Sequence, residues 1–227
     1  MRSSQTTYLA PLDHLRFLAA ILVVMYHYIH TYVVDIQPNN PLLSLVEEGH
    51  TGIGLFMVIS GFIFTVITNG HQINYWGFLR NRLIRIYPLY LFAVFLSLFI
   101  STYNEQRNYG LLEFLGWLLP FRASTVPDAH YFVQLWTIWV EFQFYLIFPF
   151  LKLFHERYGT RYLWSLIGLL IGIRMMVFIS ADSVRFIAHE TIFGRLDEFL
   201  VGMLAGIAWN RNPRICQSPL HLLASGV

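Results

Sequence analysis

Six apolar stretches, roughly 15–34, 51–69, 86–103, 133–151, 163–180 and 195–209, run through this chain of 227 residues. Each approaches the ~17–25 residues that a tilted helix needs to cross a bilayer, the last being the shortest. In hydrocarbon a backbone satisfies its own polar groups only as a helix or a closed barrel. Apolar runs of this length predict an all-α fold, a polytopic integral membrane bundle of about six transmembrane helices. Composition supports this. Charged residues are 12% and hydrophobic residues 56% of the chain, against about 25% and 45–50% in a soluble domain. Half the usual charge cannot cover a water-soluble surface, which excludes a cytosolic enzyme and a disordered tail. One lysine and fourteen arginines are spread along the chain for a net charge of +2. They form no patch dense enough for nucleic acid. A single cysteine, Cys216, excludes an intramolecular disulfide and a cysteine-based zinc site.

The basic residues also give a direction. Arg2, Arg16, Arg80, Arg82, Arg85, Lys152, Arg157, Arg161, Arg211 and Arg214 fall on one side of a six-span arrangement. Arg107, Arg122, Arg185 and Arg195 fall on the other, and Arg174 lies inside the fifth span. Ten against four places both termini in the cytoplasm. The stretch 111–121 is too short to span and is read as a re-entrant or interfacial segment. Counting it as a span would weaken the charge bias. Residues 1–211 form the transmembrane domain, and 212–227 a short, weakly apolar tail. The first span is long, is interrupted by His27 and His30 and lacks a small-residue cleavage site, unlike a signal peptide.

Ionisable groups inside a spanning helix cost roughly 2.5–3.5 kcal/mol each, so they mark cavities or partners. His27 sits ~10 Å below the outer end of the first span. Arg16 lies eleven residues earlier, three helical turns plus ~20°, which puts both on one face about 16 Å apart. Such a face suits a polar channel into the membrane, or else a core histidine and a plain interfacial anchor. Glu141 enters the fourth span from the outside, at a depth similar to that of His27. A carboxylate near an imidazole orients it and raises its basicity; the alternative is a buried ion pair that specifies helix packing. Arg80, Arg82 and Arg85 precede the third span. They suit bidentate binding of a phosphate-bearing ligand, and equally the positive-inside rule alone. Ser60 lies mid-span beside Gly61, where small residues allow close helix approach; no base or G-x-S-x-G context supports a serine nucleophile. Arg174 is deep enough to need a carboxylate or a cavity, whereas Arg195 sits near an interface. No metal motif is present, since His27 and His30 have no ligand of matching spacing.

The motifs are similar to those of the membrane acyltransferase-3 family. Leu12, Asp13, His14, Leu15 and Arg16, running on to Tyr26 and His27, resemble its opening signature. Residues 55–62 resemble its second-span motif. Arg82, Arg85 and Pro88 are like its Arg-x-x-Arg motif leading to proline. Trp136, Glu141, Phe144, Tyr145 and Pro149 are like its Trp…Glu-x-x-Phe-Tyr…Pro motif, and residues 195–202 its later Arg…Phe…Gly segment. The resemblance implies O-acylation, usually acetylation, with acyl-CoA as cytoplasmic donor and no metal. Acceptors in the family include lipopolysaccharide, exopolysaccharide, peptidoglycan and lipid-linked sugars, which places the protein in the inner (plasma) membrane. Carried over by residue, His27 is the catalytic imidazole, acting as base or acyl carrier, and Glu141 the other catalytic residue. Arg16, Arg82 and Arg85 serve the donor, acetyl-CoA in the usual case, or the structure of its site. Asp13, Ser60, Arg80, Trp136, Arg174 and Arg195 receive no assigned role. Family members usually have around ten spans, so six read as a C-terminally short member. A transporter or channel using the buried Arg, His and Glu as an ion path, or an inactive fragment, are the competing readings.

Overall fold

The computed structural model describes residues 10–32, 49, 51–105, 109–121, 135–180 and 191–212. Among them are seven helices and no strand: α1 (Ala10–Tyr32), α2 (Thr51–Ile67), α3 (Tyr75–Glu105), α4 (Leu111–Trp117), α5 (Leu135–Tyr158), α6 (Thr160–Ser180) and α7 (Ile192–Arg211). This is the helical membrane fold that the apolar stretches predict. Four helices, α1, α3, α5 and α6, are long and apolar enough to cross a bilayer; α2 is a shorter apolar helix.

Helix limits follow local chemistry. The Asn74 side chain accepts from the Gly77 N–H at 3.2 Å and so caps the start of α3. At 31 residues, α3 is ~46 Å long, well beyond the ~30 Å hydrocarbon layer. Its start lies eleven residues before the apolar stretch at 86–103, so Arg80, Arg82 and Arg85 belong to the helix and not to a preceding connection. The reason is that hydropathy marks the apolar zone, while arginine itself favours helix. Only Gly159, at φ 76°, separates α5 from α6. Its left-handed backbone ends α5, with its N–H on the His155 carbonyl at 2.7 Å.

The chain divides into two compact units. In the first, α1 and α2 meet closely: a Cβ on Gly52 would stand 2.7 Å from the Ala19 carbonyl oxygen and 2.9 Å from Val23 Cγ2. The opposite side of α2 is just as tight against α7. A Cβ on Gly61 would collide with the Phe199 carbonyl, and one on Gly202 with the Val58 carbonyl. Removing side chains at such crossings lets backbones approach within a membrane, where apolar side chains gain nothing from leaving lipid. Phe64 against Phe199 and Phe62 against Trp209 flank this seam, with ring centroids 5.9 and 6.1 Å apart. The Asn210 amide donates to the Thr65 carbonyl at 3.3 Å.

The second unit is built on α3 and α5. Tyr75 lies beside Phe150, and Phe78 beside Tyr145 and Phe148, so the two helices run antiparallel with residue 78 level with about 146. The short α4 packs on α3 further along, where Tyr90, Val94, Trp117 and Leu135 form a buried cluster. Its carbonyl end is closed by tyrosines of α3. Tyr87 Oη donates to the Leu118 carbonyl at 2.6 Å, and Tyr90 Oη to the Trp117 carbonyl at 2.7 Å. A segment too short to span survives among apolar helices only when neighbours satisfy its backbone. At seven residues it is too short to span, as the sequence predicts for 111–121.

Candidate functional site

His27 lies in α1 of the first unit, half-buried, with the Tyr26 ring edge-on at 5.3 Å. Arg16, two-fifths exposed, bonds Asp13 Oδ1 at 2.9 Å. Asp13 thereby gains a specific contact, the partner of Arg16 one turn earlier. Because α1 is continuous from Ala10 to Tyr32, Arg16 and His27 do share a face. That face is not an open channel over its length. Val23 lies on it between them, and Gly52 brings α2 against Ala19 and Val23. His27 follows one turn beyond the crossing.

Ser60 lies in α2, half-buried, next to the crossing at Gly61. Arg195, expected near an interface, is 4% exposed and donates to Glu198 Oε1 at 3.0 Å. The Glu198 carboxylate in turn lies on α2, where a Cβ at Gly54 would stand 2.7 Å from Oε1. Gly52 and Gly54 are ~200° apart around α2. They therefore turn α1 and α7 to opposite sides of it, and the Arg195–Glu198 pair belongs to the α2–α7 seam.

Glu141 lies in α5 of the second unit, half-buried, and accepts a hydrogen bond from Tyr145 Oη one turn on. The antiparallel register sets Arg82, one turn along α3 from Phe78, at the level of Glu141. Its guanidinium stands over the Phe78 ring, 5.4 Å from the centroid. The packing of α3 on α5 thus sets Arg82 and Glu141 at similar levels on adjoining helices, which the sequence does not show. Arg80 is exposed, Trp136 is half-buried near the start of α5, and Arg174 is half-buried in α6.

Two spaces adjoin this unit's residues. A void of about 10 Å³ is lined by Ile86, Tyr90, Ile138, Phe142 and Tyr145, room for about one water and no more. A groove of about 430 Å³ lies at the beginning of α3 against the later turns of α5, between Tyr75, Phe150, Lys152 and Glu156. Tyr145, a motif position without a role of its own in the sequence, is here the donor to Glu141. Its spacing of four from Glu141 is the available signal.

This chemistry falls on a chain with clear relatives. It matches the Acyltransferase domain family over residues 9–224, nearly its whole length, and belongs to that family. Among curated proteins it is similar to the O-acetyltransferase OatA of Staphylococcus aureus (strain NCTC 8325 / PS 47), at 27% identity over 228 residues. That alignment covers 89% of this chain and 35% of OatA, so the chain spans about a third of that relative. It is also similar to the acyltransferase MdmB of Streptomyces mycarofaciens, 27% identical, covering 69% of this chain and 42% of MdmB. An uncharacterized protein of Haemophilus influenzae is 28% identical, with 71% of this chain and 76% of that protein covered. No solved structure matches.

Proposed function

We propose that this chain carries the catalytic residues of an integral-membrane O-acyltransferase. The transfer moves an acyl group, acetyl in the first instance, from acyl-CoA on the cytoplasmic side to a hydroxyl of a cell-surface or lipid-linked carbohydrate. The observation that carries the reading is the family match along nearly the whole chain, with ionisable side chains set into helices where a purely structural bundle has little use for them. The word O-acetyltransferase in the name of OatA supports acetyl and oxygen as the group and the acceptor atom.

In this reading His27 is the base. It removes the proton of the sugar hydroxyl as the oxygen attacks the thioester carbonyl; the C–S bond breaks and the departing thiolate takes up a proton. Glu141 is the catalytic carboxylate. Arg16, Arg82 and Arg85 hold the anionic donor, as guanidiniums suit phosphates. Both termini lie in the cytoplasm, and the protein is multi-pass in the plasma membrane.

Radiolabelled acetyl-CoA, incubated with membranes containing the protein and a panel of purified envelope polysaccharides and lipid-linked sugars, tests the reading. Label should move to one of them in the wild type and not in His27→Ala, with both proteins present at equal level in the membrane. A His27→Ala protein of full activity overturns the assignment of the base. Wild-type membranes that label no acceptor above a protein-free control overturn the transfer itself.

A further inference from the structure

A carboxylate among apolar side chains needs a donor, and Glu141 finds one on its own helix. Tyr145 lies four residues on, the spacing that stacks two side chains on one face, and its hydroxyl donates to Glu141 Oε1. The tyrosine ring is itself held. Tyr145 is 2% exposed, and Phe78 of α3 meets it edge-on at 6.4 Å. Phe78 is braced by Phe148 at 5.6 Å and covered by the Arg82 guanidinium at 5.4 Å. Tyr145 also lines the 10 Å³ void, too small for any substrate group. The ring is therefore enclosed by protein and only the hydroxyl has a polar task.

We infer that Tyr145 is a positioning residue: its hydroxyl, placed by the packing of α3 on α5, fixes the Glu141 carboxylate at the level of Arg82. This rests on the acyl-transfer reading, in which Glu141 is the catalytic carboxylate. Without the hydroxyl the carboxylate loses the donor that sets its rotamer from within α5. A misplacement of about 1 Å at a catalytic group costs on the order of 10²-fold in rate. Donor binding does not pass through the hydroxyl, so it should be spared.

The test is steady-state acetyl transfer from acetyl-CoA by the whole protein in membranes. Tyr145→Phe keeps the ring and removes the hydroxyl; kcat should fall ~10–100-fold, with KM for acetyl-CoA unchanged. Glu141→Gln should be inactive or nearly so, and the double variant no worse than Glu141→Gln alone, because the two act as one unit. Phe78→Leu offers a second route that leaves hydroxyl and carboxylate in place. It loosens the ring, and kcat should again drop, here with a change in KM for acetyl-CoA as well, because the Arg82 guanidinium rests on the Phe78 ring. A fully active Glu141→Gln sinks the role of Glu141 and the inference with it. A near-inactive Glu141→Gln beside a Tyr145→Phe of wild-type kcat overturns the inference alone. So does a Tyr145→Phe defect confined to KM, or a further loss in the double variant.

Discussion

Gly202→Ala puts the α2–α7 seam under direct test. The added Cβ would stand 2.8 Å from the Val58 carbonyl carbon and 3.0 Å from the Phe62 nitrogen, and closer still to the Val58 oxygen. All three are backbone atoms of α2, so no side chain can rotate away. Carbon atoms rest at about 3.5–4.0 Å, and the still closer Val58 oxygen sets the shift, so the helices must part by ~1 Å or more. A gap of that size forfeits about half of each contact across it. Overpacking alone costs about 1–3 kcal/mol. The Phe64–Phe199 and Phe62–Trp209 pairs, each worth about 0.5–1.5 kcal/mol, lose part of their energy as well. Together these give about 2–4 kcal/mol, a fall of ~5–15 °C in midpoint for a chain of this size. Gly168→Ala is the control, because a Cβ there meets nothing within 4 Å. It should leave the midpoint unchanged or raise it slightly, alanine being the better helix former by up to ~1 kcal/mol. Thermal unfolding of the two variants in one detergent measures the difference. Equal midpoints for Gly202→Ala and wild type, or an equal loss in Gly168→Ala, would falsify the close-crossing argument.

Two further outcomes concern the polar contacts. Tyr90→Phe removes the hydroxyl shared by the Trp117 and Leu119 carbonyls; leaving a buried acceptor unmet costs about 1–3 kcal/mol. Hydrogen exchange across 111–121 should quicken more than in the rest of α3, and a uniform change across the protein would contradict the capping role. Arg195→Met leaves the Glu198 carboxylate beside Gly54 without its 3.0 Å donor and should cost roughly 3–5 kcal/mol. Arg195→Met combined with Glu198→Met should regain most of that in a denaturant titration, and a double variant less stable than the single one would show that the pair is not an isolated charge problem.

Apolar length and arginine placement made the helices legible, because a spanning segment must be both long and uncharged. They did not show where α3 begins. Lipid solvation reports where charge is tolerated, and the helix passes through that point without interruption. The site divides in the same way. His27 and Glu141 stand out because a single ionisable group in an apolar run is expensive. Tyr145 does not, since a tyrosine beside phenylalanines reads as bulk until the spacing to Glu141 is considered. Arg195 and Glu198 have visible i, i+3 spacing, but their burial depends on Gly54, almost 150 positions away in the chain. Gly202 and Gly206 carry the G-x-x-x-G pattern of close helix pairs, but that pattern does not say that their partner is the Gly61 face of α2.

The α2–α7 seam also sets a timetable. Its two glycine faces are separated by the whole stretch from Ile67 to Ile192. At ~5–20 residues per second, α2 waits on the order of 6–25 s for its partner to emerge. Through that interval its bare backbone groove lies open to lipid or to another nascent helix. A ribosome that stalls before α7 leaves the first unit unclosed, in the state most exposed to mispairing and to membrane quality-control proteases.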